Sequence, residues 1–180
     1  MRQIKFYCLL TLILLSTPGF TAPDNTQLAV WTNEAIVATY TFDYKNFLAR
    51  QKEIAKYFTA AGWTAYSTAL NASKLPDAVK KNLYSVNAVA TLPPEVKSIS
   101  PTQWEATMPL LVTYKNPQYQ QKQNLLVTIN FIQAPAGQGV RGLAIASLQS
   151  KVTQPPCQCQ TEIDEEQTTT NDKTQSPDGK

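Results

Sequence analysis

The hydrophobic period of this chain changes once, near Tyr84, and that change limits the fold more than any other feature. Before Tyr84, apolar residues recur at spacings of three and four; after it, they alternate. The first pattern is that of helices burying one stripe, the second that of strands burying one face. Leu28, Trp31, Ala35, Ala38 and Phe42 predict a helix over residues 27–42. Asp43 reads as the N-cap of a second helix, or the helix continues there after a kink; the stripe is Tyr44, Phe47, Leu48, Ile54 and Phe58. That helix is expected to end near Thr59, with Gly62 permitting a turn. A third, short helix presents Trp63, Tyr66 and Leu70, and residues 77–83 add another turn or two after the break at Lys74-Leu75-Pro76-Asp77.

Four strands are expected after the switch. Tyr84, Val86, Ala88, Ala90 and Leu92 mark the first, ended by Pro93-Pro94. Trp104, Ala106, Met108, Leu110, Val112 and Tyr114 mark the second, and Leu125, Val127, Ile129 and Phe131 the third. Lys115-Asn116-Pro117-Gln118 is turn chemistry between them. A Pro/Gly loop over residues 134–139 precedes the fourth strand, residues 140–152. Helices followed by a meander make an α+β domain. The expected object has its N-terminal helices packed on a curved antiparallel sheet of about four strands, a nuclear-transport-factor-like or cystatin-like layout. Pro109 cannot donate to a strand ladder, so it implies an edge position or a bulge. Pro109, Leu111 and Thr113 are therefore the candidate interface edge.

Both ends read differently from the middle. Arg2 and Lys5 precede an apolar run from Phe6 to Leu15, and a short polar stretch follows to Ala22. That order is a secretory signal peptide over residues 1–22, and its run is shorter than the roughly 20 residues needed to span a bilayer. It predicts a periplasmic protein; secretion, or anchoring by an uncleaved N-terminus, stays open. The folded domain is expected over residues 23–153. Residues 154–180 carry a Cys157-Gln158-Cys159 pair and then an acidic, Thr-rich stretch, a composition expected to be disordered. Cys157 and Cys159 are candidates for a disulfide or redox role, in a loop too short for an unstrained bond.

Composition narrows the chemistry. The chain has no histidine, which removes imidazole bases, Ser-His-Asp and Cys-His machinery and the commonest metal ligand. Two thiols form only half of a zinc site. Asp43, Glu53 and Glu105 are the carboxylates that a cone on this scaffold could use; Asp43 reads as a cap, and the other two fall on polar faces. Gly137-Gln138-Gly139 lacks the strand-before, helix-after setting of a phosphate loop. The basic residues are dispersed without interleaved aromatics, so nucleic acid is not an expected partner. No cofactor is expected, and no catalytic residue is assigned.

Specific strings then carry a resemblance. Trp31-Thr32-Asn33-Glu34-Ala35, Tyr40-Thr41-Phe42-Asp43-Tyr44-Lys45-Asn46 and Tyr57-Phe58-Thr59-Ala60-Ala61-Gly62-Trp63 resemble the DotI/IcmL family. Gln103-Trp104, Met108-Pro109-Leu110 and Gly137-Gln138-Gly139-Val140 are similar to its strand region. The likeness covers about residues 27–152. It implies a periplasmic domain of a type IVB (Dot/Icm) secretion apparatus that works through protein–protein contacts rather than catalysis. Members have a cytoplasmic segment and a spanning helix, where this chain shows a signal-like segment. A core component and a soluble paralogue therefore both fit. The partners implied are envelope proteins, with self-association open. A small-molecule binding domain using the concave sheet face is the alternative, and an isomerase-like enzyme on the same scaffold is a weaker one.

Overall fold

The computed structural model describes residues 23–135 and 137–154. Asp24 starts the first helix, α1 (Asn25–Thr39), by accepting the Gln27 backbone N–H at 2.6 Å. Its buried stripe is Leu28, Trp31, Thr32, Ala35, Ile36 and Thr39, the spacing that the sequence predicts. The helix stops three residues before Phe42. The reason is local side-chain bonding: Asp43 accepts from the backbone N–H groups of Lys45 and Asn46 at 2.7 and 2.9 Å, while Asn46 accepts from that of Asp43 at 3.0 Å. These bonds favour a turn over continued helix. Phe42 and Asp43 instead form a two-residue strand, β1.

The chain then runs through α2 (Phe47–Ile54), a single 3₁₀ turn (Ala55–Tyr57) and α3 (Ala60–Ala72). Thr59 caps α3, its hydroxyl accepting from Gly62 N–H at 3.0 Å. Gly62 thus lies inside the first turn of α3, and does not make the turn expected from the sequence. Its missing side chain has another use: a Cβ there would stand 2.5 Å from the Ile145 carbonyl oxygen and 2.8 Å from that of Ala146. Lys74, in the left-handed region at φ 55°, and Pro76 then break the chain into α4 (Leu75–Lys81).

Among the described residues the sheet has six strands where about four were expected. β2 (Ser85–Ala90), β3 (Glu95–Ser100), β4 (Gln103–Lys115), β5 (Gln120–Gln133) and β6 (Leu143–Thr153) complete it. All of its strand pairs are antiparallel, in the order β1-β2-β4-β5-β6, with β3 also on β4. The α+β class and the helix-on-curled-sheet layout stand as read from the sequence. β3 escapes a reading by alternation because Glu-Val-Lys-Ser-Ile-Ser has almost no buried side.

The core follows the alternation. Trp104, Ala106, Met108, Leu110 and Val112 from β4 and Leu125, Val127, Ile129 and Phe131 from β5 are buried facing the helices. Phe131 lies between Trp31 and Trp104, with ring centroids 5.0 and 5.5 Å away. The loop before β6 is fastened to α1. Trp31 Nε1 donates to the Val140 carbonyl at 2.9 Å, Arg141 pairs with Glu34, and the Tyr57 hydroxyl donates to the same carboxylate at 2.6 Å. Burial and that acceptor push the Tyr57 phenol up to about 12.

Candidate interaction surface

One consequence of the register is that the odd-numbered residues of β4 face away from the helices. Pro109, Leu111 and Thr113 all lie on this outer face, half-buried by their neighbours. They do not lie on an edge. β4 is an interior strand, flanked by β5 along its length and by β2 and β3 in succession on the other side. Pro109 is tolerated there because its backbone points at the seam between those two strands. β2 ends opposite Leu110, β3 starts opposite Thr107, and the Pro109 carbonyl accepts from Thr91 N–H at 3.0 Å. The missing donor therefore forfeits one bond, the reciprocal one to the Thr91 carbonyl, at the row where β2 ends.

The outer face is where apolar side chains meet without a covering layer among the described residues. Val89 is opposite Leu111, Pro109 is opposite Leu126, and the two pairs adjoin across β4. Val89 is 59% exposed. Around this four-residue cluster stand Asn87, Thr107, Thr113, Asn124 and Thr128, with Lys151 directly opposite Leu126. An apolar centre with its polar and charged groups confined to the rim is the composition of a protein-binding patch. The cluster was only half legible in the sequence. Leu111 and Pro109 are visible as interruptions of the polar side of β4, but their juxtaposition with Val89 and Leu126 depends on strand order.

The concave side holds the other candidate, a groove of about 810 Å³ between α3 and the sheet. Tyr40, Tyr66 and Tyr114 give it phenols, and Leu70, Leu125 and Val152 apolar wall. Burial pushes all three phenols up from the usual tyrosine value. They are neutral hydrogen-bonding groups across the physiological range. No charged side chain lines the groove among the described residues. The three carboxylates considered from the sequence lie elsewhere: Asp43 in its turn, Glu53 paired with Arg50, and Glu105 opposite Lys97 on the outer side of the sheet. Gly137-Gln138-Gly139 leads into a strand, and Gly139 takes φ 70° to make the reversal. Among the described residues no three potential metal ligands cluster. Cys157 and Cys159 lie outside the described residues.

Relatives now bear on this fold and these surfaces. The model of the DotI/IcmL family, a type IVb secretion-system inner-membrane complex component, matches residues 8–152. The chain belongs to the DotI/IcmL family. Its fold is similar to the crystal structure of an IcmL-like type IV secretion system protein from Legionella pneumophila subsp. pneumophila str. Philadelphia 1, at 65% identity and a TM-score of 0.75. That likeness covers 77% of this chain and 100% of the other. The periplasmic domain of DotI is 28% identical over 74% of this chain and 99% of its own, with a TM-score of 0.68. CagV, a VirB8 homolog of the type IV system of Helicobacter pylori strain 26695, shares the fold at 10% identity, with a TM-score of 0.58 over 71% and 98% of the two chains. No curated protein matches the chain. The DotI/IcmL match begins within the apolar N-terminal run, so the family resemblance reaches further forward than the quoted strings. No helix among the described residues is long and apolar enough to cross a membrane.

Proposed function

We propose that this DotI/IcmL-family chain is a periplasmic, non-catalytic assembly component of a type IVb secretion apparatus, and that it binds another subunit through the outer face of its sheet. The observation that carries this reading is the cluster of exposed Val89 with half-buried Pro109, Leu111 and Leu126, on a face that no described element covers. Thr113, one row further along β4, belongs to its rim. Family membership supports an assembly role, and the periplasmic DotI relative supports the compartment. The N-terminal segment delivers the domain across the inner membrane. The centre of the contact rests on shape and apolar burial, and because Lys151 and Lys122 stand at its rim, salt weakens it only modestly.

The test is photo-crosslinking in the native envelope from a probe at Leu111, with and without Val89→Asp. Capture of a secretion-system subunit, lost in the aspartate variant while the melting temperature holds, is the expected outcome. N-terminal sequencing of the same protein reports where the leader is cut. Capture that is indifferent to Val89→Asp would move the interface off this face.

A further inference from the structure

β6 closes the sheet on one side, and the other described elements cover only half of its outer edge. At its start, the segment leaving the 3₁₀ turn runs alongside: Phe58 bridges to Ile145, and Thr59 N–H donates to the Ile145 carbonyl at 2.9 Å. Gly62 then brings α3 down on the carbonyls of Ile145 and Ala146. Beyond that point the strand continues through Thr153. Among the described residues, no backbone hydrogen bond reaches residues 147–153 from any element other than β5. Gln149, Ser150, Lys151 and Val152 are all exposed, and Val152 is an apolar side chain 61% open to solvent. An uncapped edge of this kind is a template for another strand.

We propose that this edge is a self-complementary dimerisation strand, pairing β6 antiparallel with β6 of a second copy over residues 147–153 about a twofold axis at Ser150. The register follows from the side chains. A twofold axis normal to the sheet keeps paired residues on one face, so the centre falls on a residue. Centring on Lys151 sets two ammonium groups directly opposite each other, which is unfavourable. Centring on Gln149 sets Leu148 against a serine. Centring on Ser150 pairs Leu148 with the second copy's Val152, Gln149 with its Lys151 and Ser147 with its Thr153. Each of these pairs is compatible, and each occurs twice. The faces also agree. Leu148, Ser150 and Val152 lie opposite Ile129, Val127 and Leu125 of β5, on the groove side. Val152, so exposed in one copy, is covered by the other's Leu148. The Phe58–Thr59 segment blocks pairing beyond residue 147, so the joint is limited to seven residues by the fold itself. The joint adjoins the outer-face cluster, since Lys151 lies opposite Leu126, but it uses the backbone edge of β6, which the outer-face contact does not.

The experiment uses the full chain with Cys8, Cys157 and Cys159 replaced by serine and a single cysteine placed at residue 149, 150 or 151. Envelope fractions are treated with an oxidant, and non-reducing gels report the covalent dimer. Directly opposed residues have Cβ atoms about 4.5–5.5 Å apart, and diagonal ones about 7–8 Å. Only Ser150→Cys meets itself, so its dimer yield is expected to exceed those of Gln149→Cys and Lys151→Cys several-fold. In the Ser150→Cys background, Gln149→Glu should raise the yield and Gln149→Lys lower it, each because residue 149 faces Lys151 of the other copy. Equal yields at the three positions, a peak away from residue 150, or no dimer overturns the proposal. A dimer at residue 150 that forms only after residues 155–180 are deleted overturns it too, since the edge then belongs to the chain's own C-terminal segment.

Discussion

Replacing Gly62 by alanine separates two forces that act on α3 in opposite directions. In a free helix the change is stabilising by up to about 1 kcal/mol, because glycine is the poorer helix former and the more flexible unfolded residue. In this fold the added methyl would stand 2.5 Å from the Ile145 carbonyl oxygen and 2.8 Å from that of Ala146. Both obstacles are backbone, in a strand held by β5, so no side chain can rotate away. The helix must lift, and its start is held by Thr59 N–H on the Ile145 carbonyl at 2.9 Å and by the Phe58–Ile145 bridge. Overpacking of this kind costs about 1–3 kcal/mol. The net expectation is a loss of about 1–2 kcal/mol. For a domain of this size that lowers the melting temperature by roughly 3–10 °C. Urea denaturation followed by tryptophan fluorescence measures it directly. A midpoint that stays or rises would show that helix propensity outweighs the contact and that α3 does not rest on β6 as described.

Two further tests probe the core and the loop before β6. Trp104→Ala, at a side chain 5% exposed and stacked on Phe131, should destabilise by about 3–5 kcal/mol; an unshifted denaturation midpoint would mean that the other face of β4 is the core. Tyr57, with its phenol raised to about 12 by burial and the Glu34 bond, holds its proton in the folded chain above pH 10, where the unfolded chain releases it. Its contribution to stability is therefore complete below pH 10 and is lost between pH 10 and 12. Melting curves across that interval should fall less steeply for Tyr57→Phe than for the parent chain, and parallel curves would rule this linkage out.

Much of the architecture was legible from the residues alone. Burial on one side of a strand or helix imposes a period, so Trp104 to Val112 and Leu125 to Phe131 announce their strands and their core faces. Leu28, Trp31 and Ala35 do the same for α1. The family strings spread over residues 27–152 named the family before any coordinate did. What the sequence missed had no period to show. β1 is two residues long, and its place was taken in the sequence reading by an extension of α1, because Phe42 fits the helical spacing equally well. The Asp43–Asn46 bonds that end this ambiguity are visible only as geometry. β3 buries almost nothing, so its residues pair through backbone groups that leave no hydrophobic trace. Pro109 was misplaced for a related reason: a proline reports that one donor is absent, but not whether the ladder opposite needs one. Here the absent donor falls at the handover from β2 to β3, and that handover is a property of strand order. The same holds for both interaction surfaces. Val89 and Leu126 are 37 residues apart in the chain and share a patch only because β4 lies between β2 and β5. The half-open edge of β6 exists only because α3 sits down at Gly62, covering Ile145 and leaving Gln149 to Val152 uncovered. Local patterning determined which residues face inward, and tertiary packing alone decided which backbone and apolar groups were left without a neighbour.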